Sequence, residues 1–169
     1  MKAASGNLTI RPAEEADLPA ILGIYNWAVN QTFATLDSEP LESEEARDWW
    51  ESHARRSVLL VAENEEGVMG WGRLLPWSRR GMSGTVEGFV YVDPLHHRKG
   101  IGRQIIDRLA SAAAALGYRT MVVQVAADNV AGRRVHEAAG FRQVGTIHNA
   151  AHKFNRWMDI TILELPLQA

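Results

Sequence analysis

Cysteine is absent from the 169 residues, which rules out disulfides, thiolate metal sites and an acyl group carried on cysteine. No apolar run approaches the roughly 20 residues that a membrane-spanning helix needs. The opening Met-Lys-Ala-Ala-Ser-Gly leads into polar sequence without the apolar centre of a signal peptide. Strong charge of either sign is also lacking: 18 Lys and Arg stand against 20 Asp and Glu, a formal net charge of -2. No long-range field therefore draws nucleic acid or an acidic membrane to the chain. What is present is an apolar fraction of 46%, enough for one substantial core. The expectation is a single soluble domain over residues 1–169, in the cytoplasm.

Periodicity divides the chain into short elements. Leu8 to Arg11 alternates as a strand and Pro12 ends it. A helix opens near Asp17 and Pro19, with Leu18, Ile21, Leu22, Tyr25 and Val29 along one side. Gln31 to Pro40 is a polar connection, and a second helix starts near Ser43. Residues 57–75 read as a hairpin around Asn64-Glu-Glu-Gly67. After the loop Pro76 to Gly84, an apolar strand runs from Val86 to Asp93-Pro94. A helix follows with Ile101, Ile105, Ile106, Leu109, Ala113 and Leu116 on one face, and Gly117 ends it. Thr120 to Ala126 is a buried strand, Ala131 to Ala139 a short helix closed by Gly140, and strands at about Phe141 to His148 and Trp157 to Leu165 finish the chain. This order predicts a mixed α/β sheet flanked by helices.

The chemistry concentrates at the turn His96-His-Arg-Lys-Gly-Ile-Gly-Arg103. The first backbone N–H groups of the following helix lack intrahelical acceptors and carry the positive end of its dipole. Beside them stand His97, Arg98, Lys99 and Arg103, a setting suited to a diphosphate. Neither the Walker spacing nor the three-glycine dinucleotide fingerprint is met.

A strand ending Val-Tyr-Val-Asp-Pro before this turn resembles the acetyl-CoA pyrophosphate loop of the GNAT N-acetyltransferase superfamily, with His97 where the family usually has Arg or Gln. Ile10-Arg-Pro-Ala13, Ile24-Tyr-Asn26, Thr85-Val-Glu87, Asn129, His136-Glu137, Gly140-Phe141 and Lys153 to Asp159 extend the likeness over nearly the whole chain. Together they resemble the phosphinothricin acetyltransferase group. The resemblance implies an α/β (α+β) GNAT fold, a mixed and mostly antiparallel sheet with a central bulged strand, and acetyl-CoA as acyl donor. It implies a small amino acid or amine as acceptor, a homodimer, and no nucleic-acid or membrane partner. Peptide or protein N-terminal acetylation and a non-catalytic acyl-CoA sensor are the alternatives.

Read alone, Glu87 is a solvated or ion-paired strand glutamate, with Arg79 or Arg80 as partner; by resemblance it is the general base that takes the acceptor's proton. An α-ammonium of pKa about 8 must lose a proton before it attacks a thioester. Regular pleating puts Glu87, Phe89 and Tyr91 on one face of the strand, and Val86, Gly88, Val90 and Val92 on the other. The resemblance places a bulge at Gly88 and pantetheine contacts at Val90, Tyr91 and Val92, with a backbone N–H near Val90 on the thioester carbonyl. Gly100, Ile101, Gly102 and Asn129 join the cofactor set. His136 stands where many relatives have a tyrosine: a proton donor to the thiolate, a cofactor contact or a packed helix residue. Thr32, Phe33, Trp77, Arg79, Arg80, Glu87, Gly88 and Phe89 form the expected acceptor set. Gly88-Phe89 replaces the His-Ser of resembling members that take phosphinothricin and methionine sulfoximine, which points to an apolar-leaning acceptor. Lys153 to Asp159 reads as structural, and His148 and His152 as surface residues without metal-ligand spacing.

Overall fold

The structure is a computed structural model and describes residues 8–54, 57–77 and 82–167. In chain order the elements are β1 (Thr9–Pro12), α1 (Leu18–Gln31), α2 (Ser43–Ala54), β2 (Leu59–Asn64), β3 (Gly67–Pro76), β4 (Thr85–Val92), α3 (Ile101–Ala115), β5 (Thr120–Ala126), α4 (Val130–Ala138), β6 (Arg142–Lys153) and β7 (Arg156–Pro166). The strands form a seven-stranded sheet in the order β1-β2-β3-β4-β5-β7-β6. Every neighbouring pair is antiparallel except β4 and β5. That parallel pair needs a crossover, and α3 supplies it.

Two apolar layers follow from the alternation of each strand. On one face Val86, Met121, Val123 and Leu163 pack with Ile101, Ile105, Ile106, Leu109 and Ala113 of α3. Ile105, Ile106 and Leu109 are fully buried, each contributing about 1.5–3 kcal/mol. On the other face Val61, Trp71 and Tyr91 pack with Ile21, Ile24, Tyr25, Ala28 and Val29 of α1. Phe89 and Tyr91 lie with this second layer, and Val90 and Val92 against the first, as the pleat requires. The strand parity is realised, and so is the helix spacing as far as Ala113; Leu116, expected on the same face, lies just past the end of α3 and is 63% exposed.

α3 approaches the sheet closely because β3 carries glycine beneath it. A Cβ on Gly72 would lie 2.6 Å from Ile105 Cγ2, and 2.9 Å from both Leu109 Cδ1 and the Phe89 carbonyl. At the start of α1, Asp17 is joined to Arg11 by two bonds of 2.7 and 2.9 Å, and Arg11 also grips Glu63. The guanidinium thereby ties β1, β2 and the entry to α1 together.

The last two strands run further than their apolar stretches predict. β6 continues to Lys153 and meets β7 through Phe154 and Asn155, with φ of 49° and 62°. Two positive φ values suit a tight hairpin turn. Register shifts at Gln143/Gly145 and Ile147/Ala151 break the alternation that sequence reading depends on. At the second shift the Asp159 carboxylate accepts bonds of 2.9 Å from the Asn149 N–H and from His148 Nδ1. Lys153 is buried and donates from Nζ to the Thr35 carbonyl at 2.9 Å, a tie between β6 and the α1–α2 connection.

Candidate active site

β4 keeps register with β3 from Val86 to Val92 but pairs with β5 only through Thr85, Val86 and Glu87. Beyond Glu87 the two parallel strands part. The expected bulge at Gly88 is therefore corrected: no register shift interrupts the β3–β4 ladder, and the irregularity is a splay away from β5. Gly88 permits it through close packing, since a Cβ there would sit 2.0 Å from Met121 Cε on β5.

The parting opens a cleft of about 810 Å3. Residues 88–92 form one wall and Val123, Gln124 and Val125 the other, with Asn129, Gly132 and His136 alongside. Backbone alternation decides what the first wall presents. The Asp93 N–H donates to the Met69 carbonyl on β3, so residues 89 and 91 turn their peptide groups toward β3, and 88, 90 and 92 turn theirs toward the gap. The Val90 N–H thus faces the cleft with no ladder partner.

At the mouth, His97, Arg98, Gly100, Ile101, Gly102 and Arg103 contribute to the lining. Gly100 caps α3 at φ 79° and Arg98 has φ 60°; the left-handed backbone turns the chain sharply into the helix. Asp93 braces the entry by accepting from the Leu95 N–H at 2.8 Å. His97 is tied through Nε2 to the Val92 carbonyl at 2.9 Å, so its ring holds the loop to the end of β4. Arg103 is held by Asp107 and by the Ala138 carbonyl. Lys99 contacts His96 at 3.2 Å and is not part of the lining. Free N–H groups at a helix start, flanked by Arg98 and Arg103, fit a diphosphate, and a cleft of this size fits a cofactor.

Glu87 lies at the point where the strands part. It is half-buried, and Gln124 Nε2, from the opposite wall, donates to its Oε1 at 2.9 Å. Burial pushes the Glu87 carboxyl above its ordinary value; the Gln124 bond and the nearby Arg73 cation pull the other way. Glu87 itself is not among the lining residues; Gln124 is. His136, 7% exposed, bonds through Nδ1 to the Gly132 carbonyl at 2.7 Å, and its Nε2 is buried without a partner among the described residues. Burial lowers its pKa, and the Gly132 carbonyl can only accept, which assigns the proton to Nδ1. Asn129 caps α4 by accepting from the Gly132 N–H at 2.9 Å while lining the cleft.

The expected acceptor set is only partly gathered. Thr32, Gly88 and Phe89 line the cleft. Phe33 and Trp77 do not; Phe33 packs on Phe154 with centroids 5.2 Å apart, beneath the Arg156 guanidinium. Arg79 and Arg80 lie outside the described residues. Sequence reasoning missed Gln124, Trp27 and Arg73. Gln124 and Arg73 each leave a trace, being polar side chains within otherwise apolar strands, Thr120–Ala126 and Gly67–Pro76.

The chain matches the acetyltransferase (GNAT) domain family over residues 10–162. It is 35% identical over 162 residues to the L-methionine sulfoximine/L-methionine sulfone acetyltransferase of Salmonella typhimurium, covering 95% of each chain. It is 34% identical over 169 residues to the phosphinothricin N-acetyltransferase of Streptomyces coelicolor, covering 96% of this chain and 98% of that one. Among solved structures it is similar to a GNAT superfamily phosphinothricin acetyltransferase from Sinorhizobium meliloti in complex with AcCoA, at 29% identity and a TM-score of 0.85, over 95% of this chain and 88% of that one. With its parted strands, its helix-start cradle and these relatives, the chain belongs to the GNAT acetyltransferase family, as an acetyl-CoA-dependent N-acetyltransferase.

Proposed function

We propose that the chain acetylates the α-amino group of a small amino acid or amino-acid analogue, of the methionine sulfone, methionine sulfoximine or phosphinothricin type, with Glu87 as general base. The carrying observation is the half-buried Glu87 carboxylate, bonded to a residue of the cleft wall exactly where β4 and β5 part. Relatives similar over 95–96% of this chain bear those substrate names.

Bound acetyl-CoA supplies the acetyl group as an activated thioester. The helix-start N–H groups with Arg98 and Arg103 hold its diphosphate, and the edge of β4 at Val90 to Val92 holds its pantetheine. The Val90 N–H serves as the donor to the acyl carbonyl oxygen. Glu87 takes the proton released by the acceptor nitrogen, directly or through one water. His136 is a contact in this reading: with the proton on Nδ1, its Nε2 accepts a hydrogen bond and has none to give to a thiolate.

Residues 1–169 act as one domain, supported by the continuous sheet from β1 to β6. We place the protein in the cytoplasm, where acetyl-CoA is at hand, and as a homodimer. Val144, Ile147, Phe154 and Trp157 support the dimer, being 47–64% exposed at or near the edge strand β6; sedimentation velocity tests it. The main test is free-thiol release from acetyl-CoA with a panel of amino acids, their sulfone and sulfoximine analogues, phosphinothricin and short peptides. Turnover restricted to free amino acids supports the proposal. Turnover restricted to peptides, or tight acetyl-CoA binding with no turnover, overturns it.

A further inference from the structure

Gln124 is a polar side chain in the middle of an apolar strand, and strand pairing decides where it points. Met121, Val123 and Val125 turn toward α3, so Gln124 takes the opposite face, the one that Glu87 shares with Phe89 and Tyr91. The last backbone pair between β4 and β5 is Glu87 with Val122. Had the strands stayed paired, Gln124 would stand beside Phe89. They part instead, and its side chain reaches back diagonally to Glu87, where Nε2 donates to Oε1 at 2.9 Å. The bond joins the two walls at the apex of the cleft.

The last torsion of a glutamate is broad, so a carboxylate with no fixed partner turns through many orientations. Gln124 removes that freedom. A carboxylate only accepts, so the amide must present Nε2 to Glu87 and turn its own oxygen away. Among the described residues no hydrogen bond engages Oε2 of Glu87, which leaves that oxygen to take a proton. With the proton on Oε2, Oε1 is the carbonyl oxygen of a neutral acid and still accepts from Gln124. The bond therefore needs no rearrangement between the two protonation states. Leu75 of β3 and Val122 of β5 flank Glu87 in register without charge. Among the described residues the Arg73 cation of β3 acts on Glu87, and the Tyr91 hydroxyl of β4 lies within its field.

We propose that Gln124 is the positioning residue of the general base, fixing the Glu87 carboxylate so that Oε2 receives the proton of the acceptor nitrogen and holding it there until that proton leaves. One proton moves, from nitrogen to Oε2, and solvent water recovers it after the acetyl group has passed. This rests on the reading of Glu87 as the base and adds the residue that aims it.

The test measures thiol release from pH 5 to 9, with the best amino acid of the panel above, in the wild type, Gln124→Met, Glu87→Gln and the double variant. Acetyl-CoA affinity by calorimetry and thermal melting serve as controls. Gln124→Met keeps the length of the side chain and removes the donor, so kcat at pH 7 falls about 10–10²-fold. The donor favours the ionised carboxylate, so its loss moves the acid limb to higher pH, and the deficit shrinks as pH rises. In the Glu87→Gln background the same substitution changes kcat less than about threefold, because no base is left to aim. Gln124→Asn, an amide one methylene shorter, behaves as Gln124→Met does and replaces it should that variant not fold. An acid limb that stays in place, or an equal fall in both backgrounds, overturns the proposal, the latter showing that Gln124 acts without Glu87. Glu87→Gln with nearly full activity, or a wild type that acetylates no member of the panel, fails at the broader reading and takes this one with it, a result distinct from either.

Discussion

Glu87→Gln isolates the proton acceptor from the rest of the site. Gln124 Nε2 is the hydrogen-bond donor to Glu87, at 2.9 Å. An amide of the same shape keeps an oxygen for that bond and removes only the ability to take a proton. A positioned general base contributes about 10²–10⁴-fold, or about 3–5.5 kcal/mol of barrier, and kcat at pH 7 is expected to fall by that factor with acetyl-CoA affinity unchanged. The pH profile carries more information. Because burial is the largest influence on Glu87 and raises its pKa, the acid limb of kcat/KM for the wild type lies above the ordinary carboxylate range. In the variant that limb disappears, and activity climbs only as the free amine of the acceptor accumulates with rising pH. The gap between the two enzymes therefore narrows as pH rises. Stopped thiol-release assays from pH 5 to 9 read both effects. A variant within tenfold of the wild type at pH 7, with the acid limb intact, would refute Glu87 as the base.

Three further outcomes are expected. Arg73→Gln removes a cation that favours the ionised Glu87, so the acid limb of kcat/KM moves to higher pH; a shift to lower pH would contradict the electrostatics. Gly72→Ala forces a Cβ against Ile105, Leu109 and the Phe89 carbonyl, and overpacking of this kind costs about 1–3 kcal/mol. Its melting temperature should drop by about 2–12 °C for a chain of this size. Asp17→Asn weakens the Arg11 ion pair, in which Asp17 is 9% and Arg11 28% exposed, and the loss at neutral pH is about 2 kcal/mol by urea unfolding. Arg11 chiefly lowers the Asp17 pKa. The wild-type advantage is therefore full above the unfolded value near 4 and is lost as pH falls through the lower folded value.

Much of this molecule is legible along the chain. α3 announces itself through Ile101, Ile105, Ile106, Leu109 and Ala113, because a helical face repeats within one segment. The same locality explains why the strand, turn and helix at Val92 to Gly102 and the parity of Glu87, Phe89 and Tyr91 could be read directly. The run of β6 to Lys153 could not, because its register shifts are set by β7, residues away in sequence.

The site divides the same way. Sequence by itself pointed to the family, to the glycine turn that opens α3 and to Glu87 as the candidate base, since each rests on neighbouring residues or on spaced motifs in order. Tertiary structure alone decided that Gln124 reaches Glu87 from 37 positions away, that Gly88 makes room for Met121, and that Phe33 faces Phe154 and Arg156. It also decided that Arg73 stands beside Phe89, with Nε and Nη1 unpartnered among the described residues. Contacts between strands depend on pairing and splay, which are properties of the whole sheet, and a missing hydrogen-bond partner can be seen only when every neighbour is in place.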